Sequence, residues 1–208
     1  MPKREAPFTS LKDFIPNGSY DQLLEYLHHY RVHLTITKER KTVLGDYRHA
    51  SEGKNHRISV NGNLNPYAFL ITLIHELAHL VTFMQFGNRV SSHGKEWKKT
   101  FADLMSKFLI VNLFPADIQK ALEHSLHNLP ASSCADERLM RMLKKYDEDK
   151  VGVMLVEQLT DGTVFEIDGG KLFKRGKQLR KRFQCIEIKT GKLYLFSPVY
   201  EVRPVQQK

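Results

Sequence analysis

The residues best suited to chemistry in this chain are His75-Glu76-Leu77-Ala78-His79, an H-E-x-x-H pattern. On a helix, histidines four apart lie one turn above each other on one face, so both imidazoles can reach a single Zn²⁺ at about 2.0–2.1 Å. Glu76 falls to the side of that face, where its carboxylate can meet a water on the metal without being a ligand itself. Zinc lowers the pKa of such a water toward about 7, and Glu76 would take the released proton and pass it to a leaving amine. The pattern therefore points to metal-assisted hydrolysis of an amide.

Random placement at this composition would produce the pattern in roughly 3% of such chains, so its surroundings matter. Phe69, Leu70, Ile71, Leu73, Ile74, Leu77, Leu80 and Val81 surround it, which predicts a helix running through the core. An unpartnered carboxylate there would cost several kcal/mol, roughly, and a metal with its water offsets that cost. The competing readings are core histidines with Glu76 paired to an arginine, and a membrane span over Ala68 to Phe86. Glu76 near the midpoint of that stretch argues against lipid, and no membrane association is expected.

Catalytic zinc needs a third protein ligand. The metzincin continuation is absent, because Thr82 and Gln85 stand where it requires Gly and His. His93, in Ser92-His93-Gly94-Lys95-Glu96-Trp97, is the candidate; it sits in a loop entering the next helix, and Gly94 is expected to let the backbone turn sharply toward the metal.

The elements that must position these residues are legible in outline. Ser19 and Gln22 have the form of a capping box opening a helix over residues 20–30. Val32 to Ile36, Val43 to Arg48 and Arg57 to Val60 read as three strands of a small antiparallel sheet. Asn65 offers an N-cap with Pro66 at the first helical position, Leu64 can staple against Phe69, and Gly87 supplies a stop, giving a helix from Pro66 to Phe86. Trp97, Phe101, Leu104, Met105 and Phe108 mark one face of a following helix. Further helices are predicted near Pro115–His127 and Asp136–Tyr146. Beyond residue 149 short β-type runs take over: Val151–Leu159, Thr163–Ile167, Gln178–Lys189 and Lys192–Phe196, separated by Gly-containing turns. The expected fold is α+β, with residues 1–149 forming a helical domain with its small sheet and 150–208 a basic antiparallel β module.

Composition fits this plan. Hydrophobic residues make up 41% and charged residues 26% of 208, ordinary values for a globular protein. Met1 to Lys12 shows no signal-peptide core, so a cytoplasmic location is expected. The two cysteines, Cys134 and Cys185, exclude a disulfide framework and any four-cysteine zinc module, and are expected to be reduced and buried. The net charge of +9 is concentrated in residues 171–192, where nine basic residues face the single acid Glu187.

Taken together, the apolar helix bearing His75-Glu76-Leu77-Ala78-His79, the following His93-Gly94-Lys95-Glu96-Trp97, and the helix and small sheet before them resemble the SprT-like metallopeptidase family over roughly residues 15–110. That family includes the Spartan proteases, which degrade proteins crosslinked to DNA. The resemblance implies a zincin-like domain with one Zn²⁺ held by His75, His79 and His93, Glu76 as general base, and a protein substrate. Family members often end in a zinc ribbon of paired cysteines. This tail has only Cys185, so a ribbon-like sheet without its own metal is expected. Lys174, Arg175, Lys177, Arg180, Lys181 and Arg182, interleaved with Phe173, Phe183, Tyr194 and Phe196, are candidates for contacting DNA phosphates and stacking on bases. The competing reading of the tail is a solvated basic face, and the competing function is a proteolytically idle, metal-containing nucleic-acid-binding protein.

Overall fold

The structure, a computed structural model, describes residues 7–40, 43–51, 53–127 and 136–205. The chain divides into two compact units, Met1–Asp147 and Glu148–Lys208.

The first unit is organised by the helix α2 (Pro66–Phe86), which starts and stops where its end residues require. The Asn65 side chain accepts from the Ala68 amide at 2.9 Å, Pro66 fills the first helical position, and Gly87 leaves the helix with φ of 60°. Thereafter α2 is buried on almost every face, from Ala68 to Thr82 with only His79 half-buried. Its length and hydropathy would allow a membrane span, yet 72% of that window is buried inside the fold, as befits a core helix.

Packed around it are α1 (Tyr20–His29), α3 (Lys95–Ile110), α4 (Ala116–His127) and α5 (Glu137–Lys144). The predicted face of α3 is the buried one: Trp97, Phe101, Leu104, Met105 and Phe108 all enter the core. At α1 the capping box is not formed. The Ser19 hydroxyl instead donates to the Pro16 carbonyl at 2.6 Å, and Ser19 has helical backbone angles (φ −87°, ψ −16°) rather than the extended ones of a capping residue.

The small sheet comprises β1 (His33–Thr37), β2 (Gly45–Arg48) and β3 (Arg57–Asn61) in the order β1-β3-β2. Its strands fall where expected, but it is mixed rather than antiparallel. β3 runs antiparallel to β2 and parallel to β1. The physical reason lies in β3, whose Ile58 and Val60 are fully buried. As the most buried strand it occupies the central place, with β1 on one side and β2 on the other.

The second unit is a six-stranded sheet, all of its pairings antiparallel. Its strands are β4 (Met154–Leu155), β5 (Val164–Ile167), β6 (Lys171–Leu179), β7 (Arg182–Glu187), β8 (Leu193–Phe196) and β9 (Glu201–Pro204), ordered β4-β9-β5-β6-β7-β8. Three details differ from the sequence reading. Within Val151–Leu159 only Met154–Leu155 pairs, because the Leu155 amide is captured by the Gln158 side chain at 2.7 Å and a 3₁₀ turn follows. The run Gln178–Lys189 is split by a turn at Arg180, which adopts a φ of 52°: its first two residues end β6, whose stretch from Lys171 was not expected as strand, and Arg182–Glu187 forms β7 of the same hairpin. β9 has only four residues around a proline, too short for an alternating signature. Phe165, Phe173, Phe183, Cys185 and Val202 form this unit's core. Cys185 is buried and unbridged as expected, whereas Cys134 lies outside the described residues.

Candidate metal centre

His75 and His79 project from one face of α2, and His93 reaches them from the segment leading into α3. Their three Nε2 atoms form a nearly equilateral triangle, with separations of 3.2 Å (His75–His79), 3.1 Å (His79–His93) and 3.2 Å (His75–His93). A neutral imidazole nitrogen either donates or accepts, never both. In a triangle, at least one edge must then join two nitrogens of the same kind, so hydrogen bonding alone cannot satisfy all three. A shared cation can. Tetrahedral coordination at about 2.0–2.1 Å places nitrogen ligands about 3.3–3.4 Å apart, close to the separations found. The three histidines are positioned to bind a metal ion.

The electrostatics agree with this geometry. Burial, then the neighbouring histidines, holds His75 down to about 3, and burial followed by His93 holds His79 down to about 4. His93 is lowered by burial and by Lys98. All three rings are thus neutral near pH 7, with lone pairs free for a cation.

Glu76 is buried on the same helix, and its pKa is pushed up to about 8, mainly by burial and then by Asp46, with Arg40 opposing. Arg40 is itself pinned, donating to Asn61 Oδ1 at 2.8 Å and to Ser59 Oγ at 2.9 Å. The Glu76 carboxylate lies directly against Gly45 at the start of β2: a Cβ built on Gly45 would stand 2.5 Å from Glu76 Oε1 and 2.8 Å from Thr72 Cγ2. The edge strand β2 therefore forms one wall of the Glu76 pocket.

Gly94 acts differently from the sequence expectation. Its φ is −71°, an ordinary value. What makes glycine fit is closeness, since an added Cβ would lie 3.2 Å from both Cβ and O of Ser91. Ser91 O accepts from the Gly94 amide at 3.0 Å, and this tight turn delivers His93 to the triangle.

Two residues at the centre were given no role from the sequence. Trp97, one turn into α3, packs on all three imidazoles, with ring centroids 4.6, 5.2 and 4.7 Å from His75, His79 and His93, and its far side stacks on Phe101. Its place four residues after His93 on an amphipathic helix was the available signal. Gly45 had none, because its contact with Glu76 is tertiary.

The basic residues of the second unit gather on the β6–β7 hairpin. Lys174, Lys177, Arg180, Lys181 and Arg182 are exposed, while Arg175 is half-buried with its guanidinium 4.3 Å from the Phe183 ring centre. The stacking expected of Phe173, Phe183 and Phe196 is not available, because all three are buried in the core; Tyr194 is exposed and packs edge-on against Phe173. Alternation along β6, β7 and β8 turned the three phenylalanine rings inward, away from any base. Among the described residues this unit contains no cluster of metal-ligating side chains.

Comparison with curated proteins and with solved structures finds no match. The model of the SprT-like family matches residues 12–121, which spans α1, the small sheet, the histidine triangle and α3. A match over more than half of the chain, with the metal-binding histidines inside it, means that this chain belongs to the SprT-like family.

Proposed function

We propose that this chain is a zinc metallopeptidase. The observation that supports it most directly is the triangle of three neutral Nε2 atoms beside a buried carboxylate on the same helix. Three imidazoles suit Zn²⁺ better than the harder cations, which prefer oxygen. When bound, zinc supplies Lewis acidity and makes water acidic enough to ionise near neutral pH.

The chain's own residues would then do the following. His75, His79 and His93 hold the ion and leave one vertex open to substrate and water. Glu76 accepts the proton of the attacking water as its oxygen bonds to the peptide carbonyl carbon, and donates that proton to the amine nitrogen as the C–N bond breaks. Its raised pKa suits the second half, in which the carboxyl donates; a cation held by the three histidines would favour the ionised form that the first half needs. Burial by the α2 core and the β2 wall keeps the carboxylate from drifting into solvent.

The substrates we propose are proteins associated with DNA. Family membership and the exposed Lys177, Arg180, Lys181 and Arg182 at the hairpin tip favour this choice, through phosphate contacts alone. A fall in duplex affinity with rising salt, shallower in a Lys177→Ala/Lys181→Ala variant, checks that part.

The decisive experiment compares Glu76→Gln with His75→Ala by metal analysis and by cleavage of an unfolded protein. Glu76→Gln should keep one zinc per chain and lose cleavage at least a hundredfold, while His75→Ala should lose the metal. Undiminished cleavage by Glu76→Gln would overturn the mechanism.

A further inference from the structure

The outward side of the C-terminal sheet is apolar where a solvated face is expected. Residues paired directly across strands share a face. By register Lys174, Ile186 and Leu193 form one row, and Gln184 and Leu195 another. Leu172 belongs to the same face, and the Ile188 amide donates to its carbonyl at 2.9 Å. Leu172, Ile186, Ile188, Leu193 and Leu195 are 38–63% exposed. The core phenylalanines occupy the opposite face. Five aliphatic side chains exposed to this degree approach the largest patch a monomer usually shows, about 300–600 Å², and such patches mark contact sites.

Two further features define what fits there. β8 is the last strand of the sheet, so its outer edge carries backbone groups that no described strand pairs. The charges on this face of β6 and β7 are Lys174 and Arg182; the nearest carboxylate by register is Glu166 of β5, opposite Leu172, and its own partner on β9 is Arg203, so the β7–β8 side of the face carries cations without acids. Glu187, the acid of these strands, points to the other side, where it is bonded by Thr190 and Tyr194 and lies 3.6 Å from Lys171 Nζ.

We propose that this face and the β8 edge dock an extended segment of a partner protein rich in aliphatic and acidic residues. Strand addition along β8 gives main-chain hydrogen bonds, and every second side chain of the segment falls beside Leu193 and Leu195. Acidic residues in the segment meet Lys174 and Arg182. Nucleic acid is disfavoured on this face because it offers no aromatic platform. A second copy of the same face would bring like charges together.

The test selects a random peptide library displayed on phage against the full chain. Enriched peptides are then measured against wild type, Leu193→Thr/Leu195→Thr and Lys174→Glu/Arg182→Glu. All four positions are exposed, so both variants should fold, as circular dichroism checks; if the threonine pair unfolds, the charge-reversed pair decides alone. The expected peptides combine Leu, Ile or Val with Asp or Glu and bind each variant at least tenfold more weakly. Absence of enrichment, peptides lacking acids, or affinity unchanged in the variants would overturn the proposal. So would self-association, or pelleting with phosphatidylserine vesicles, that the threonine pair abolishes, since either assigns the face to another occupant.

Discussion

Replacing Gly45 by alanine tests how the Glu76 carboxylate is held. The new methyl would lie 2.5 Å from Glu76 Oε1, 2.9 Å from Glu76 Cγ and 2.8 Å from Thr72 Cγ2, whereas ordinary contact begins at 3.4 Å. Thr72 cannot yield easily, because its hydroxyl is bonded to Ala68 O at 2.8 Å within the buried helix. Glu76 must therefore retreat by about 1 Å, a displacement that costs on the order of a hundredfold in catalysis when it misplaces a reacting group. Overpacking of this kind also costs about 1–3 kcal/mol of stability, which for a chain of this size lowers Tm by roughly 2–12 °C. The metal should be unaffected, since Glu76 is not a ligand in this scheme. Peptide cleavage, zinc content and thermal unfolding, measured on the same preparation, separate these effects. A Gly45→Ala protein with wild-type kcat/KM and Tm would refute the placement of Glu76 against β2.

The metal-free protein should be most stable near pH 6.5. Below that value the unfolded chain binds protons that His75 and His79, held to about 3 and about 4, refuse, so stability falls as pH drops toward 4. Above it, Glu76, raised to about 8, binds a proton that the unfolded carboxyl has lost, so stability falls as pH rises toward 8. Thermal unfolding of chelator-treated protein shows both limbs, and Glu76→Gln should flatten the alkaline one. Trp97 is the sole tryptophan and touches all three ligands, so zinc added to the apoprotein should change its fluorescence with a stoichiometry of one. Trp97→Phe should weaken zinc binding about tenfold in a chelator competition, as loss of a residue that orients ligands does. Asn65→Ala should cost about 2–3 kcal/mol in urea unfolding, because one side chain caps α2 and also donates to Leu143 O and Asp147 Oδ1.

The histidine-bearing helix α2 was readable because everything that defines it is local. Asn65-Pro66 opens it, Gly87 closes it, and the histidines share a face by helical spacing alone. His93 could be named from its Gly94 neighbour and from family resemblance. Its convergence on the other two depends on how α3 packs against α2, which no spacing encodes. Strand order was lost for the same reason: the alternation in His33–Thr37 and Arg57–Asn61 marks strands, and which strand becomes the centre is decided by burial of Ile58 and Val60. Three of the four tail aromatics were misassigned to the surface because basic neighbours in sequence masked a period of two that sends Phe173 and Phe183 inward, whereas Tyr194 is exposed.

The two amide hydrogens of Asn65 reach across 78 and 82 residues to the end of α5, where Leu139 and Leu143 complete the core. A fragment trimmed at residue 121, where the family match ends, would keep all three clustered histidines and yet leave that amide without acceptors and the foot of α2 bare. The compact unit, which ends at Asp147, is accordingly longer than the stretch that the family model matches, and its last residues hold the first turn of the helix that carries the histidines.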